Sequence, residues 1–446
     1  MAFPINDQSP IEHDAPLPSD ADAIVIGGGI IGVMTAWELA KAGLKPVLLE
    51  KGRIAGEQSS RNWGWIRAQG RDVSEIAIML EAQAMWPELD KRAGGVGLAQ
   101  TGTLFMAKGD AGMDVYQDWL DQAAPFQLSS KLLSAHELAD HIPAANARWA
   151  GALYTPTDLR AEPWITVPAL ARAAVEDGVT IIENCAVRML DIEGGQVTGV
   201  ITEKGRIKSK RVALAGGSWS SLLLRRHGVS IPQLSVRATV AATESLPEVI
   251  SDSAVDERLA WRRREDGSYT LAPSGFHELY VGPDALRAAM GFLPQLVQDP
   301  LGTRYLPAAP KGFPDAWGTK RRWAEGDISP FEKMRILNPA PNATKVRKLA
   351  RDFAETFPTL GAVQIKEAWA GMIDVMPDVV PVVDTCDALA NLTICTGMCG
   401  HGFGIGPAFG RITAKLMRGK DTGHDLSRFR LGRFSDGSKL VLGPNL

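Results

Sequence analysis

The sequence predicts an α/β protein in which a parallel-sheet, nucleotide-binding domain is interleaved with an α+β domain built on an antiparallel sheet. Three observations carry this. A strand, glycine turn, helix and strand occupy residues 22–50. A second glycine-rich turn stands before a helix near residue 400. Between them, α/β segments alternate with short runs broken by Pro and Gly, the pattern of an antiparallel sheet.

Residues 1–20 are polar and carry four prolines, with neither a basic start nor an apolar core. They read as a flexible arm and not as a signal peptide. Ala23–Ile26 is a short apolar strand. Val33–Ala42 has good helix formers and no breaker, and Pro46–Leu49 is the second strand. Residues 75–92 read as a helix interrupted at Pro87. A second α/β block follows: a helix over 165–176, a strand over 179–183, two strands over 187–192 and 197–202 joined through Gly194-Gly195, and an apolar strand over 212–215 ending at Gly216-Gly217. Residues 231–300 alternate in short runs, and 300–342 are loop-rich. In 344–357, Val346, Leu349, Ala350, Phe353, Ala354 and Phe357 recur at helical spacing. Residues 392–417 read as strand, glycine loop and helix. The expected division is a nucleotide-binding domain from 21–80, 160–230 and 365–420, a substrate domain from 81–159 and 231–364, and a tail over 421–446.

The 446 residues carry 48 basic and 51 acidic side chains, a net charge of −3, with 45% hydrophobic residues. That is a packed globular composition, not a disordered one. No basic surplus is present to neutralise phosphates, so nucleic acid is not an expected partner. Four cysteines in so long a chain exclude a disulfide scaffold and suit a reducing, cytoplasmic setting. No stretch approaches the roughly 18–20 apolar residues of a membrane helix.

Glycine is in excess, 45 of 446 residues against about 7% on average. Gly27, Gly29 and Gly32 satisfy G-x-G-x-x-G between strand and helix. The first glycine allows a tight turn, the second lets backbone approach a diphosphate, and the third lets helix and strand pack closely. The diphosphate then faces the positive end of a helix. Glu50 ends the second strand, where an acid would accept hydrogen bonds from a ribose. It favours FAD or NAD over NADP. The second cluster, Gly397 to Gly410 before a helix, makes another cradle of N–H groups. A flavin has a use for it, because charge near N1 and O2 of the reduced ring is stabilised by a helix N-terminus.

The ordered motifs AIVIGGGIIGVMTAWELAKAG with LLEK, Ser59-Ser60, GVTIIENCAVRML, VALAGGSWSSLL, EAWAGMIDVMPDVVPVVD and GMCGHGFGIGPAFG span residues 22–418. Together they resemble the D-amino-acid oxidase superfamily of FAD-dependent oxidoreductases, in the branch of glycine oxidase, sarcosine oxidase and D-amino-acid dehydrogenase. The resemblance implies a Rossmann-like FAD-binding domain. It implies FAD contacts from Gly27, Gly29, Ile30, Ile31, Gly32, Glu50, Lys51, Ser59, Ser60 and Arg61. Val187 should meet the adenine, with Ala215, Gly216 and Trp219 beside the diphosphate and Gly371 and Gly400–Gly404 (with His401, Gly402 and Phe403) along the flavin. Covalent attachment in the sarcosine-oxidase branch uses a Cys at the place of Gly371, so FAD is expected to be non-covalent. Cys395 and Cys399 read as small-residue packing, and no metal is expected.

By the same resemblance Arg67 takes the place of the arginine that clamps the substrate carboxylate, a task suited to a bidentate guanidinium. The alternative is a surface ion pair nearby, such as Arg71 with Asp72. A lysine in the glycine loop of that branch is Gly404 here, so the clamp is weaker or rebuilt, with Arg322 one candidate. Trp63 and Trp65 either wall a pocket for an apolar amine or pack the core. His277 or Tyr280 falls near the place where the oxidases carry a lysine over the flavin. His401 is read first as part of the loop and second as a base. The implied activity is oxidation of the C–N bond of an amino acid or secondary amine to an imine by hydride transfer to flavin N5, with oxygen, a quinone or another carrier as acceptor. A 2-hydroxy-acid dehydrogenase and a non-catalytic flavin-binding assembly protein are the alternatives.

Overall fold

The computed structural model describes residues 3–146, 148–275, 277–298 and 302–443. The chain opens with β1 (Ala23–Ile26), α1 (Ile30–Lys41), β2 (Pro46–Leu49) and α2 (Val73–Arg92). Its middle supplies α3 (Pro163–Glu176), β3 (Thr180–Ile182), β4 (Val212–Leu214), β5 (Leu234–Thr243), β6 (His277–Tyr280), α4 (Pro283–Gln298) and β7 (Thr303–Leu306). Its last part supplies α5 (Ala343–Thr356), β8 (Ile365–Val375), β9 (Val382–Thr385), β10 (Leu392–Thr396) and α6 (Gly402–Met417).

One sheet has the order β9-β10-β4-β1-β2-β3. All its pairs are parallel except β9 with β10. β1 and β2 are buried at every position, which explains their unbroken apolar runs. Ile26 pairs with both Leu49 and Leu214, and Leu214 with Ile394. The strand ends are therefore level, and Gly27, Glu50, Ala215 and Gly397 leave the sheet at one edge. This is where ligands bind in open α/β sheets.

The second sheet has ten strands. β5 lies along β8 from Leu234↔Val375 to Thr243↔Ile365 and also pairs with β6. The sheet is mixed, because β6 with β7 and Ser253–Val255 with Thr103–Ala107 run parallel.

Four expectations need correction. The sequence places β8 among the nucleotide-binding segments, yet it pairs with β5 in the second sheet. Phe313, Trp323, Phe331 and Leu337, expected in the substrate domain, pack with Val187, Leu214 and Trp219 on the nucleotide side. The arm before residue 20 is held down: Ile5 is buried, its carbonyl accepts from Arg61, and the Glu183 carboxylate accepts the Glu12 and His13 N–H groups. α2 runs unbroken through Pro87. Buried Met85, Trp86 and Leu89 pin that turn, and Trp86 donates to the Gly404 carbonyl. Tertiary packing outweighs the one amide that proline lacks.

α6 lies along α1 with little space between them. A Cβ at Gly406 would stand 2.6 Å from Ile30, and one at Gly410 2.4 Å from Met34. These glycines bring the two helices together, so both N-termini open on the same space. Among the described residues no helix is long and apolar enough to cross a membrane.

Candidate functional site

A cavity of about 750 Å³ runs from the edge of the parallel sheet to the face of β5 and β6. At its nucleotide end, Gly27 has φ +109°, and a Cβ there would lie 2.4 Å from the Ala215 carbonyl oxygen. A Cβ at Gly32 would lie 1.8 Å from the Gly27 oxygen. Gly32 does not line the cavity; it lets α1 begin directly over the turn. Ser59 Oγ accepts the Ile30 N–H at 2.9 Å, capping α1 at the cavity. Ser60, in contrast, is buried away from the cavity, with its hydroxyl near the Glu57 carbonyl.

Glu50 accepts hydrogen bonds from Gly28 N (2.7 Å) and Gly52 N (2.6 Å). Burial nevertheless pushes its carboxyl above the usual range. Lys51 lies 4.4 Å over the Trp219 ring and donates to Glu57 and to the Arg335 carbonyl. Glu57, missed from the sequence, also accepts from Trp219 Nε1 and Leu337 N. It ties the 50–61 loop to Trp219, and nothing in its spacing announced it. The Arg61 guanidinium is occupied by the carbonyls of Ile5, Gly56 and Ala370 and by Asn338. It holds the arm against the cavity wall. Ile30, Ile31, Val187, Ala215, Gly216 and Gly371 line the cavity as well.

The far end is formed by Gly400, His401, Gly402 and Phe403 at the start of α6. Gly404 is not in the wall. A Cβ there would meet the Ile66 backbone at 2.9 Å, so it seats α6 on the Trp65–Ile66 strand. Beside the loop, Asp374 on β8 is buried. Its carboxylate accepts from Gly397 N (2.8 Å) and from Gln233 (3.1 Å), while Gln233 also donates to Thr396. Cys399 lines the cavity with its thiol between Met376 N and the Gly397 carbonyl.

Arg67 is buried at this end, its guanidinium 5.1 Å from the Phe105 ring and 3.5 Å from His401 Nε2, and it donates to the Gln69 carbonyl. Burial first, and then the Arg71 charge, press its pKa down to about 9. Arg71 is not a surface residue paired with Asp72. It donates to Glu75 at 3.2 Å, to the Arg67 carbonyl and to the His401 carbonyl, all in the interior. Asp72 instead caps α2. The spacing of four between Arg71, just before the α2 cap, and Glu75 in its first turn was the available signal. Burial, then Arg71 and Arg67, hold His401 well below the usual histidine range, so the ring stays neutral. Trp63 and Trp65 stand edge to face at 5.1 Å, and both line the cavity while packing into the core behind it.

Strand alternation divides β6. His277 and Leu279 face the cavity. Tyr280 faces the other way, against Phe313 and the Arg237 guanidinium, and so does not reach the site. Arg322 is exposed on the loop beside buried Trp323 and lies off the cavity, so it does not rebuild the clamp.

The glycine turn, the second helix N-terminus and the acidic strand end suit a dinucleotide, and the cavity has room for one. A family model described as DAO, FAD dependent oxidoreductase, matches residues 22–416. The chain is 31% identical over 280 residues to mitochondrial sarcosine dehydrogenase of Mus musculus, covering 59% of this chain and 30% of that protein. It therefore spans less than a third of that relative's length. N-methyl-L-tryptophan oxidase of Citrobacter koseri is 25% identical over 429 residues, covering 93% of this chain and 99% of the relative. Among solved structures, L-amino acid deaminase from Proteus myxofaciens in complex with anthranilate superposes with a TM-score of 0.90 at 27% identity, over 96% of this chain and 97% of that one.

Proposed function

The chain belongs to the DAO family of FAD-dependent oxidoreductases, and on that premise we propose that it oxidises the C–N bond of an amino acid with a large apolar side chain, or of its N-alkyl derivative, to the imine. The observation that carries this reading is the buried group of Arg67, Arg71, Glu75 and His401 at the end of the cavity where Trp65 and Phe105 stand. Glu75 is occupied by Arg71, and His401 is neutral. Arg67 lines the cavity with a guanidinium, the fork that complements one carboxylate. The relatives act, by their names, on sarcosine, N-methyl-L-tryptophan and L-amino acids, all carboxylated amines.

The residues suited to hold FAD are Gly27, Gly29, Glu50 and Ser59 at the nucleotide end and Gly400–Phe403 at the ring end. Gly371 stands where an attaching cysteine would be needed, so binding is non-covalent. Bound FAD supplies the acceptor for the two electrons leaving the substrate's C–H bond. Arg67 takes the substrate carboxylate, and Phe105 fixes the plane of its guanidinium. His401 Nε2, unprotonated, accepts a hydrogen bond and adds no third cation. Trp63, Trp65 and Leu279 exclude water from the reacting carbon and receive the side chain. Among the described residues lining the cavity, Lys51 is the only lysine, and Glu57 holds it at the nucleotide end. That favours a quinone or another carrier over oxygen as acceptor.

The test is anaerobic mixing of the holoenzyme with paired D- and L-amino acids, N-methyl amino acids, decarboxylated amines and 2-hydroxy acids. Loss of the visible flavin band with aromatic or N-methyl amino acids is expected. Bleaching by hydroxy acids alone, or by nothing, overturns the reading.

A further inference from the structure

α4 carries two apolar faces. Ala285, Ala289, Phe292 and Leu296, at spacings of four, three and four, line the cavity. Met290, Leu293 and Val297, at spacings of three and four, do not line it and stand 80%, 46% and 74% exposed. Leu286 belongs to both faces and is 61% exposed. Surface helices normally present charge outward. Here the outward stripe is apolar, and it is continuous through Leu286 and Leu296 with the mouth of the cavity. Exposed aromatic rings flank it: Tyr305 on β7, and Trp317, whose Nε1 donates to the Val281 carbonyl just before α4.

Among the described residues of 283–322, the exposed charges have one sign. The two acids among these residues are Asp284 and Asp315. Asp284 is closed off by Arg225 and Arg287, and Asp315 by Arg321 while it caps the first turn of α4. Arg304, Lys311, Lys320 and Arg322 are exposed. An apolar ridge with interfacial aromatics and a basic border is the composition of a helix that lies in the headgroup region of an anionic bilayer. A second copy of the chain, meeting this face across a two-fold axis, would bring basic border against basic border. At 16 residues, about 24 Å long, α4 is too short to span a membrane and suited to lie along its surface.

We propose that the α4 face, with Trp317, Tyr305 and the Lys320–Arg322 border, is a docking surface for anionic phospholipid that seats the cavity mouth against the bilayer. The inference rests on the surface alone and survives a different substrate.

The test is co-sedimentation of the FAD-loaded full chain with phosphatidylcholine–phosphatidylglycerol vesicles and with phosphatidylcholine alone. Binding to the first, lost at high salt, is expected. Met290→Glu with Val297→Glu should abolish it. Lys320→Gln with Arg322→Gln should weaken it roughly 25-fold, about fivefold for each charge lost near the surface. Retained FAD and an unchanged melting temperature would show that each variant is folded. Absence of vesicle binding by the wild type overturns the proposal, as does binding that both variants retain. A wild-type dimer in solution that Met290→Glu dissociates, with no vesicle binding, assigns the face to a second copy instead.

Discussion

Replacing Arg67 with Met removes one cation and keeps a chain long enough to cover Phe105. Two effects follow from the geometry. A guanidinium that grips a carboxylate makes two charge-assisted hydrogen bonds, each contributing about 1.5–3 kcal/mol. At 1.4 kcal/mol per factor of ten, kcat/KM for a carboxylated substrate should fall at least about a hundredfold. The matched decarboxylated amine should lose little. The second effect is on His401. Its Nε2 lies 3.5 Å from the Arg67 guanidinium, a repulsion of about 1 to 5 kcal/mol against the protonated ring for effective dielectrics of roughly 80 and 20. Without that charge the imidazole pKa rises, and an NMR titration of His401 reads the change. Steady-state kinetics on the substrate pair reads the first effect. An equal loss for both members of the pair, or a His401 titration that does not move, would refute the assignment of Arg67 to the carboxylate.

Gly32→Ala forces a Cβ to within 1.8 Å of the Gly27 oxygen, so α1 must move off the turn; FAD retention should weaken by at least about tenfold, at a cost of about 1–3 kcal/mol in stability, and wild-type FAD affinity by fluorescence quenching would count against it. Gly371→Cys should be accommodated, since a Cβ there meets nothing closer than Arg61 Cβ at 3.5 Å; the variant should melt with the wild type, and acid precipitation should release FAD from the wild type, with retention by the wild type overturning the non-covalent reading. His227 accepts the Leu190 N–H, and burial with the Arg226 charge lowers its pKa to about 4. Below about pH 6.5 the unfolded chain binds a proton that the folded chain refuses, so stability should fall by up to about 3 kcal/mol towards pH 4. His227→Gln should flatten that dependence in urea titrations at pH 7 and pH 4.5, and a wild-type-to-variant difference that ignores pH would show the histidine is not its source.

The core of the parallel sheet was legible because β1, β2 and β10 are buried at every position and are followed directly by Gly27, Glu50 and Gly397, a pattern that local sequence carries. The second sheet was harder to apportion. β8 follows a helix and precedes the final glycine loop, so its position in the chain suggested the nucleotide domain, and only its long pairing with β5 places it. Non-local pairing leaves no periodic mark. The same holds at the site. Motifs bring Gly27, Glu50, Arg67 and His401 forward, and all four line the cavity. Glu57 and Arg71 matter through partners far along the chain or in the interior, Leu337 and His401 among them. Tyr280 and Arg322 were misplaced for a simpler reason: along a strand only alternate residues face the cavity, and a basic residue on a loop is normally turned to solvent.

Asp374 has a mechanical consequence. It is the last residue but one of β8, a long strand of the second sheet, yet its carboxylate grips the amide of Gly397, where the parallel sheet hands over to the loop before α6. Through Gln233 the same carboxylate also reaches the start of β5 and Thr396. The two sheets cannot slide past one another without stretching this clasp. A load applied to the wall formed by β5 and β8 is thus felt by the backbone of the glycine loop at the cavity, and the halves of the molecule should melt as one cooperative unit, not as two domains in succession.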